Sequence, residues 1–291
     1  MATVTATRPT APAEATPPHR PRKGPVAWVR EHIVQIAAFC VFVYMLLPNV
    51  LVIVFSFNQP KGRYNYTWQH FSLNAWLHPC EAPGMCASVR LSLEIGIAAT
   101  IVATILGTLI AFALARYRFA GRAATNLLIF LPMATPEVVM GSSLLTLFVA
   151  LSGVVTIGAE TIFIAHVMFC ISFVVVTVKA RIAGLDPRLE QAAMDLYATE
   201  RQTFMRVTLP LVMPGIAAGA LLAFSLSFDD YIITNFNSSS TSTTFPLFVW
   251  GAAQKGTPPQ MNVVGTVMFL VSFVLVGVGQ FVAWRRRRAK A

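Results

Sequence analysis

Six stretches of about 20 apolar residues recur along the chain, at 33–55, 91–114, 127–151, 157–178, 216–236 and 263–282. At ~1.5 Å rise per residue, each can cross a ~30 Å hydrocarbon layer as a helix. The pattern predicts an all-α, polytopic membrane protein with six transmembrane helices. The first stretch starts some 30 residues in and is longer than the apolar region of a cleavable leader, so it reads as a span. The third contains Pro132 and Pro136 and should be kinked or broken near its middle. Broken helices at membrane depth line a cavity or a partner interface.

The polar segments divide the chain further. Residues 1–27 are rich in Ala, Thr, Pro and Arg without apolar periodicity, which predicts a disordered tail. Residues 28–284 form the membrane domain, and 285–291 a short basic tail. The loop at 57–90 holds Trp68, Phe71 and Trp76, and should fold partly over the membrane surface. The loop at 237–261 has an apolar centre, FPLFVW. That centre reads either as a re-entrant segment or gate, or as a surface loop with an interfacial half-helix.

The segment at 187–210 is unusual for a connection between spans, because it is charged and helix-forming. Asp186-Pro187 suits a helix start. Leu189, Ala192, Ala193 and Leu196 follow at i, i+3, i+4 and i+7, a narrow apolar stripe with Arg188, Gln191 and Asp195 opposite. Thr199 with Gln202 three residues on is a capping-box pattern that starts a second helix. Pro210 should mark the return toward the membrane and Pro214 the entry to the fifth span. A helix lying on lipid favours bulky apolar and basic faces. Alanines on the stripe and mixed charges suit a groove in another protein instead.

Composition agrees with a membrane chain. The 291 residues are 56% hydrophobic and 12% charged, with mean hydropathy +0.65, where a soluble domain carries about twice that charge. The net charge of +10 would fit nucleic acid, but its distribution does not. With the amino terminus inside, eighteen of the 22 Lys and Arg fall on the cytoplasmic side; only Lys61, Arg63, Arg90 and Lys255 fall outside. The positive-inside rule then puts both termini and the 187–210 segment in the cytoplasm. Trp28 and Trp284 flank the first and last spans as interface anchors. Cys40 and Cys170 sit in spans, as small apolar residues. Cys80 and Cys86 share an outside loop, where a disulfide is permitted and a metal site with only two Cys is a weaker alternative.

The 187–210 segment resembles the EAA loop of ABC-importer permeases: Glu-Ala-Ala, three residues, Gly, nine residues, Ile, one residue, Leu-Pro. Here the pattern reads Gln191-Ala192-Ala193, Tyr197, then Val207-Thr208-Leu209-Pro210. Gln191 replaces the Glu, with Glu190 adjacent, and Tyr197 replaces the turn Gly. A left-handed residue there would cost a Tyr ~1–2 kcal/mol. LSLEIGIAATIVATILGTLIAFALARYRF, LPMATPEVVMG and LSFDDYIITNF extend the resemblance over most of 85–284, toward the second permease component of spermidine/putrescine importers. The resemblance implies the type I importer permease fold in a bacterial inner membrane, and a coupling helix that docks on an ATPase. It implies a second permease, two ATPase subunits and an extracytoplasmic binding protein as partners. Glu190, Gln191, Ala192, Ala193, Asp195, Leu196, Tyr197, Leu209 and Pro210 would form the coupling surface. ATP and Mg would sit on the ATPases, with no cofactor or metal on this chain and no catalysis by it. The lysines follow Arg22, Pro60, Val178, Gln254 and Ala289, so no Gly-Lys-Ser/Thr phosphate loop exists.

The acids in or near the spans are Glu94, Glu137, Glu160, Asp229 and Asp230, with no Lys or Arg in the apolar bodies. A carboxylate there needs water, a cation or a partner. With Phe228 and Tyr231 beside Asp229 and Asp230, an acidic, aromatic path would suit a polyamine, through cation–π contacts worth ~0.5–2 kcal/mol each. Adjacent helical residues point ~100° apart, so the two Asp cannot both face one path. Glu94 and Glu160 also read as wet interfacial residues, Glu137 as part of a structural joint, and His166 as a satisfied core histidine. Other readings are an importer for iron or an aminophosphonate, an ion-coupled secondary transporter using Glu137 and Asp229, and a scaffold for a signalling ATPase.

Overall fold

The computed structural model describes residues 25–288. The tail expected to be disordered lies outside the described residues up to residue 24, as do residues 289–291 and the side chains of Trp28 and Trp284. The chain forms two compact units, up to Leu51 and from Val52 onward. The first consists of most of α1 (Pro25–Phe55), an apolar helix whose large side chains, Phe39 and Met45 among them, are exposed. Pro48 lies inside it without ending it.

The second unit is helical. Its elements are α2 (Asn74–Leu77), α3 (Met85–Arg116), α4 (Arg122–Ala134), α5 (Glu137–Ala150), α6 (Ala159–Ala183), α7 (Arg188–Asp195) and α8 (Glu200–Thr203). A π-helical turn at Phe204–Thr208 leads into α9 (Leu209–Asp229), then α10 (Ile232–Asn237), α11 (Phe245–Lys255) and α12 (Pro259–Arg288). Five helices in the described residues are long and apolar enough to cross a membrane, and the α4–α5 pair makes a sixth if counted as one broken span.

The core is α3, α6 and α9. On α3, Ala99, Ala103, Gly107 and Ala111 recur every fourth residue and are buried. On α9, Gly215, Gly219 and Ala223 do the same. Such small-residue stripes let helix backbones approach closely, which matters where lipid supplies no hydrophobic drive for association. The approach is tight: a Cβ at Gly107 would meet Val174 at 2.7 Å, and one at Gly215 would meet Arg181 at 2.6 Å. α6 runs antiparallel to α9, with the Cys170 thiol donating to the Ala223 carbonyl (3.4 Å) and Arg181 Nε to that of Leu211 (2.9 Å).

The third apolar stretch is broken near its middle, as expected: α4 and α5 meet at 108° across Thr135-Pro136. Pro136 cannot donate to the ladder, and it holds Thr135 extended (φ −80°, ψ 133°). The fifth stretch is not one helix to residue 236. It starts earlier and stops at Asp229, where Asp230 is extended (ψ 127°) before α10 begins. Pro210 and Pro214, expected at the return toward the membrane and at the entry to the span, both lie inside one continuous helix. The helix runs from Glu200 to Asp229, widening to a π turn in which Leu209 N–H reaches Phe204 C=O, five residues back.

Opposite the α7 end, the 57–90 loop is folded. Phe57 stacks between Phe71 and Trp76, and Asn58, which is buried, bonds Asn65, the Thr67 carbonyl and the Gln69 N–H. Cys80 and Cys86 are joined in a disulfide at the entry to α3. The FPLFVW stretch forms α11, eleven residues packed on α3, with the Phe245 N–H donating to Ser92 Oγ (2.8 Å). At ~1.5 Å per residue, α11 is too short to span the membrane, as both readings of the stretch require.

Candidate functional site

Two regions gather the residues singled out by the sequence. At one end of the core, Asp186 accepts from Arg188 N–H (2.9 Å), and α7 starts there. Thr199 and Gln202 form the expected capping box at the start of α8, by 3.3 and 2.9 Å bonds. No residue of α7 is fully buried. Leu189, Gln191, Ala192, Asp195, Leu196 and Pro210 are exposed, while Ala193 and Leu209 are half-buried. The stripe therefore faces away from the chain's own core. Tyr197 does stand in the left-handed region, at φ 64°, and is 97% exposed. Its N–H donates to the Met194 carbonyl (2.9 Å) and the Ala198 N–H to that of Ala193 (3.1 Å), so the left-handed residue closes a Schellman cap on α7.

Glu190 behaves differently from its neighbours. Its carboxylate turns inward, accepting from Arg116 at the end of α3 and from the Thr208 hydroxyl in the π turn. Burial pushes its pKa up, but the Thr208 and Arg116 hydrogen bonds and the Arg116 charge outweigh that, so it lies below the ordinary carboxylate value. The folded carboxylate thus contributes stability above the unfolded pKa, which is lost as pH falls through the lowered folded one. A cavity of about 350 Å³ adjoins it, lined by Arg116, Met194, Glu200 and Phe204 among others. Arg116 was missed as a site residue because Glu190 is 74 positions away in sequence. The only sequence signal was a cation at the end of a span.

The second region is the α9–α10 break. Asp230 is enclosed, its side chain 6% exposed. It accepts from Thr234 N–H and Oγ1, both at 2.7 Å, and lies 3.3 Å from His166 Nε2. His166 is buried and also meets Ser227 Oγ (2.8 Å) and Thr234 Oγ1 (3.0 Å), as a satisfied core histidine does. Asp229, one residue earlier, is exposed. Near it in the chain, Phe228 stacks on Phe224 (5.8 Å) and Tyr231 packs on Trp250 of α11 (5.2 Å). Trp250 was not singled out from sequence; its signal was the aromatic run in an otherwise Ser/Thr-rich loop.

The remaining acids are scattered. Glu94 pairs with Arg90 one turn away (2.7 Å), both exposed. Glu160 accepts from Thr156 N–H (3.2 Å) at the start of α6. Glu137 is exposed as the first residue of α5, just past the Pro136 break. Among the described residues, no hydrogen bond or ion pair joins any two of these carboxylates, and no cluster of His, Cys, Asp and Glu could hold a metal.

A helical core with spans long enough for lipid, a broken span and an exposed surface helix fit a multi-pass membrane protein. The chain belongs to the family of binding-protein-dependent transport system inner membrane components, whose profile matches residues 103–288. Among curated relatives it is 34% identical to the spermidine/putrescine transport system permease protein PotC of Haemophilus influenzae, over 84% of this chain and 93% of that protein. It is 37% identical to the putrescine transport system permease protein PotI of Escherichia coli, over 84% and 86%. A solved bacterial ABC transporter that imports the acidic polysaccharide alginate shares the fold. Its TM-score is 0.62 at 16% identity, over 90% of this chain and 98% of that one. A second, an amino acid ABC transporter, gives 0.53 at 13%, over 75% and 100%.

As a member of this family the chain is a multi-pass inner-membrane subunit of an ABC importer, not an enzyme. It works with an ATPase, a partner permease and a binding protein, and ATP is bound by the ATPase.

Proposed function

We propose that this chain is the second permease subunit of an ATP-driven importer of spermidine or putrescine. The observation that carries this is similarity at 34–37% identity, over most of both chains, to permeases named for those two amines. The exposed Asp229, close in the chain to Phe228 and to the Tyr231 that packs on Trp250, supports it: a carboxylate near aromatic rings suits a protonated amine.

The α7 end is cytoplasmic, as are both termini, and the disulfide-closed loop is outside, where the binding protein delivers the amine. The bare stripe of α7, with Ala193 at its edge, seats in a groove of the ATPase. ATP draws two ATPases together, and their movement passes through 187–210 into α6 and α9. Alternating access follows, because ATP binds the two conformations with different affinity.

The test is the full complex, with two permeases, two ATPases and binding protein, in proteoliposomes. Spermidine-loaded binding protein is expected to stimulate ATP hydrolysis and drive spermidine uptake. Hydrolysis stimulated by iron- or aminophosphonate-loaded binding protein and not by amine would assign another solute. Uptake by this chain alone under a pH gradient, without ATP, would replace the importer by an ion-coupled carrier.

A further inference from the structure

We propose that Arg116, Glu190 and Thr208 form a strut that carries movement of α7 directly into α3. The proposal rests on the reading that α7 docks on the ATPase, and goes beyond it by naming a second route into the membrane core.

α7 buries no residue completely, and Glu190 is the polar side chain that ties it inward. The Glu190 carboxylate receives two donors from two different elements. One is the guanidinium of Arg116, the last residue of α3. The other is the hydroxyl of Thr208, buried in the π turn that opens α9. Arg116 Nη2 also lies 3.5 Å from Thr208 Oγ1, so the three groups close a triangle over three elements. One turn earlier on α3, the Phe112 ring meets Phe204 of the π turn edge-on, with centroids 5.2 Å apart. The 187–210 segment therefore grips α3 at two levels.

A displacement delivered at this end has little slack to be lost in. Ala99, Ala103, Gly107 and Ala111 bring α3 against its neighbours with almost no side chain between them, and the space a methyl would need at Gly107 is taken by Val174. Packed interfaces of this kind shift as blocks rather than bending. Glu190 is also one position from Gln191, where the coupling pattern puts its acid, and adjacent helical residues point ~100° apart. Gln191 is exposed outward while Glu190 reaches inward. The two positions do different work: one faces a partner, the other holds α7 to α3.

Arg116→Gln, Glu190→Gln and the exchange Arg116→Glu/Glu190→Arg are made in the full complex. Spermidine taken up per ATP hydrolysed is then measured on assembled complexes. Each single change is expected to lower that ratio about fivefold or more, and the exchange to restore at least about half of it, since contacting residues couple non-additively. An unchanged ratio in the single variants, or an exchange as poor as either, would overturn the strut. Should a single variant fail to assemble, a covalent bridge decides. In a Cys40→Ser background, Arg116→Cys and Glu190→Cys are joined by a bifunctional maleimide. Retained uptake supports a strut that moves as a unit, and loss of uptake on bridging overturns it. The docking reading is checked apart, by Leu196→Arg, an exposed stripe position six residues from Glu190. If that variant still captures the ATPase and transports, α7 docking fails, whatever the strut variants do.

Discussion

Asp229 and Asp230 are neighbours in the chain and opposites in setting. Asp230 is fastened to Thr234 and set beside His166, while Asp229 stands at the open end of α9. Asp229→Asn should cut amine uptake about tenfold or more in transport assays, by removing charge from the proposed path, and leave thermal stability within ~0.5 kcal/mol. Asp230→Asn should behave the other way, destabilising the α9–α10 corner by ~1–3 kcal/mol as its bonds are weakened. Equal effects of the two changes on uptake and on melting in detergent would refute this division. Tyr197 carries the turn after α7 at φ 64°. Tyr197→Gly relieves a left-handed residue of its Cβ and should stabilise that turn by ~1 kcal/mol. Hydrogen exchange at 188–198 would show slower opening if so, and unchanged protection if not.

Elements show what the amino-acid order could and could not foretell. The capping box at Thr199 and the break at Pro136 were legible because their causes are local: a hydroxyl three residues from its N–H, and an imide with none. The end of α9 was not. FSLSFDDYIITNF contains no Gly or Pro, and Asp230, which accepts from Thr234 across the corner, is also tied to His166, which arrives from α6. The π turn was hidden as well, since Pro210 resembles a break yet only needs a place where no donor is required. The close seam of α3 was not singled out, although its small residues recur every fourth position, and nothing in that spacing names its partner. Gly107→Leu should force α3 and α6 apart, costing ~1–3 kcal/mol by overpacking. A variant that extracts and melts like the parent protein would show that the seam has slack.

For the molecule as a whole, the spans came from apolar run lengths and the family from the spacing across 191–210, and both were readable. Long-range ties such as Arg116 to Glu190 were not, because nothing in a linear pattern pairs residues 74 apart. Two features support the proposed orientation: the positive-inside rule, which assigns eighteen of the 22 cations to the inner side, and the Cys80–Cys86 bridge, which suits the oxidising side. Green fluorescent protein at the carboxyl terminus should therefore fluoresce in cells, and alkaline phosphatase inserted after Ser240 should be active. The reverse pair of signals would invert the topology.

The bare stripe of α7 bears on how the cell must handle this polypeptide. Leu189, Leu196 and the strained Tyr197 offer a greasy hairpin to water, on the cytosolic side in the proposed orientation, whenever no associate covers it. Copies made in surplus are thus marked for clumping or for degradation by quality-control proteases. The abundance of the working machine is set by whichever associate is scarcest, and yields on overproduction should rise when the ATPase is made alongside.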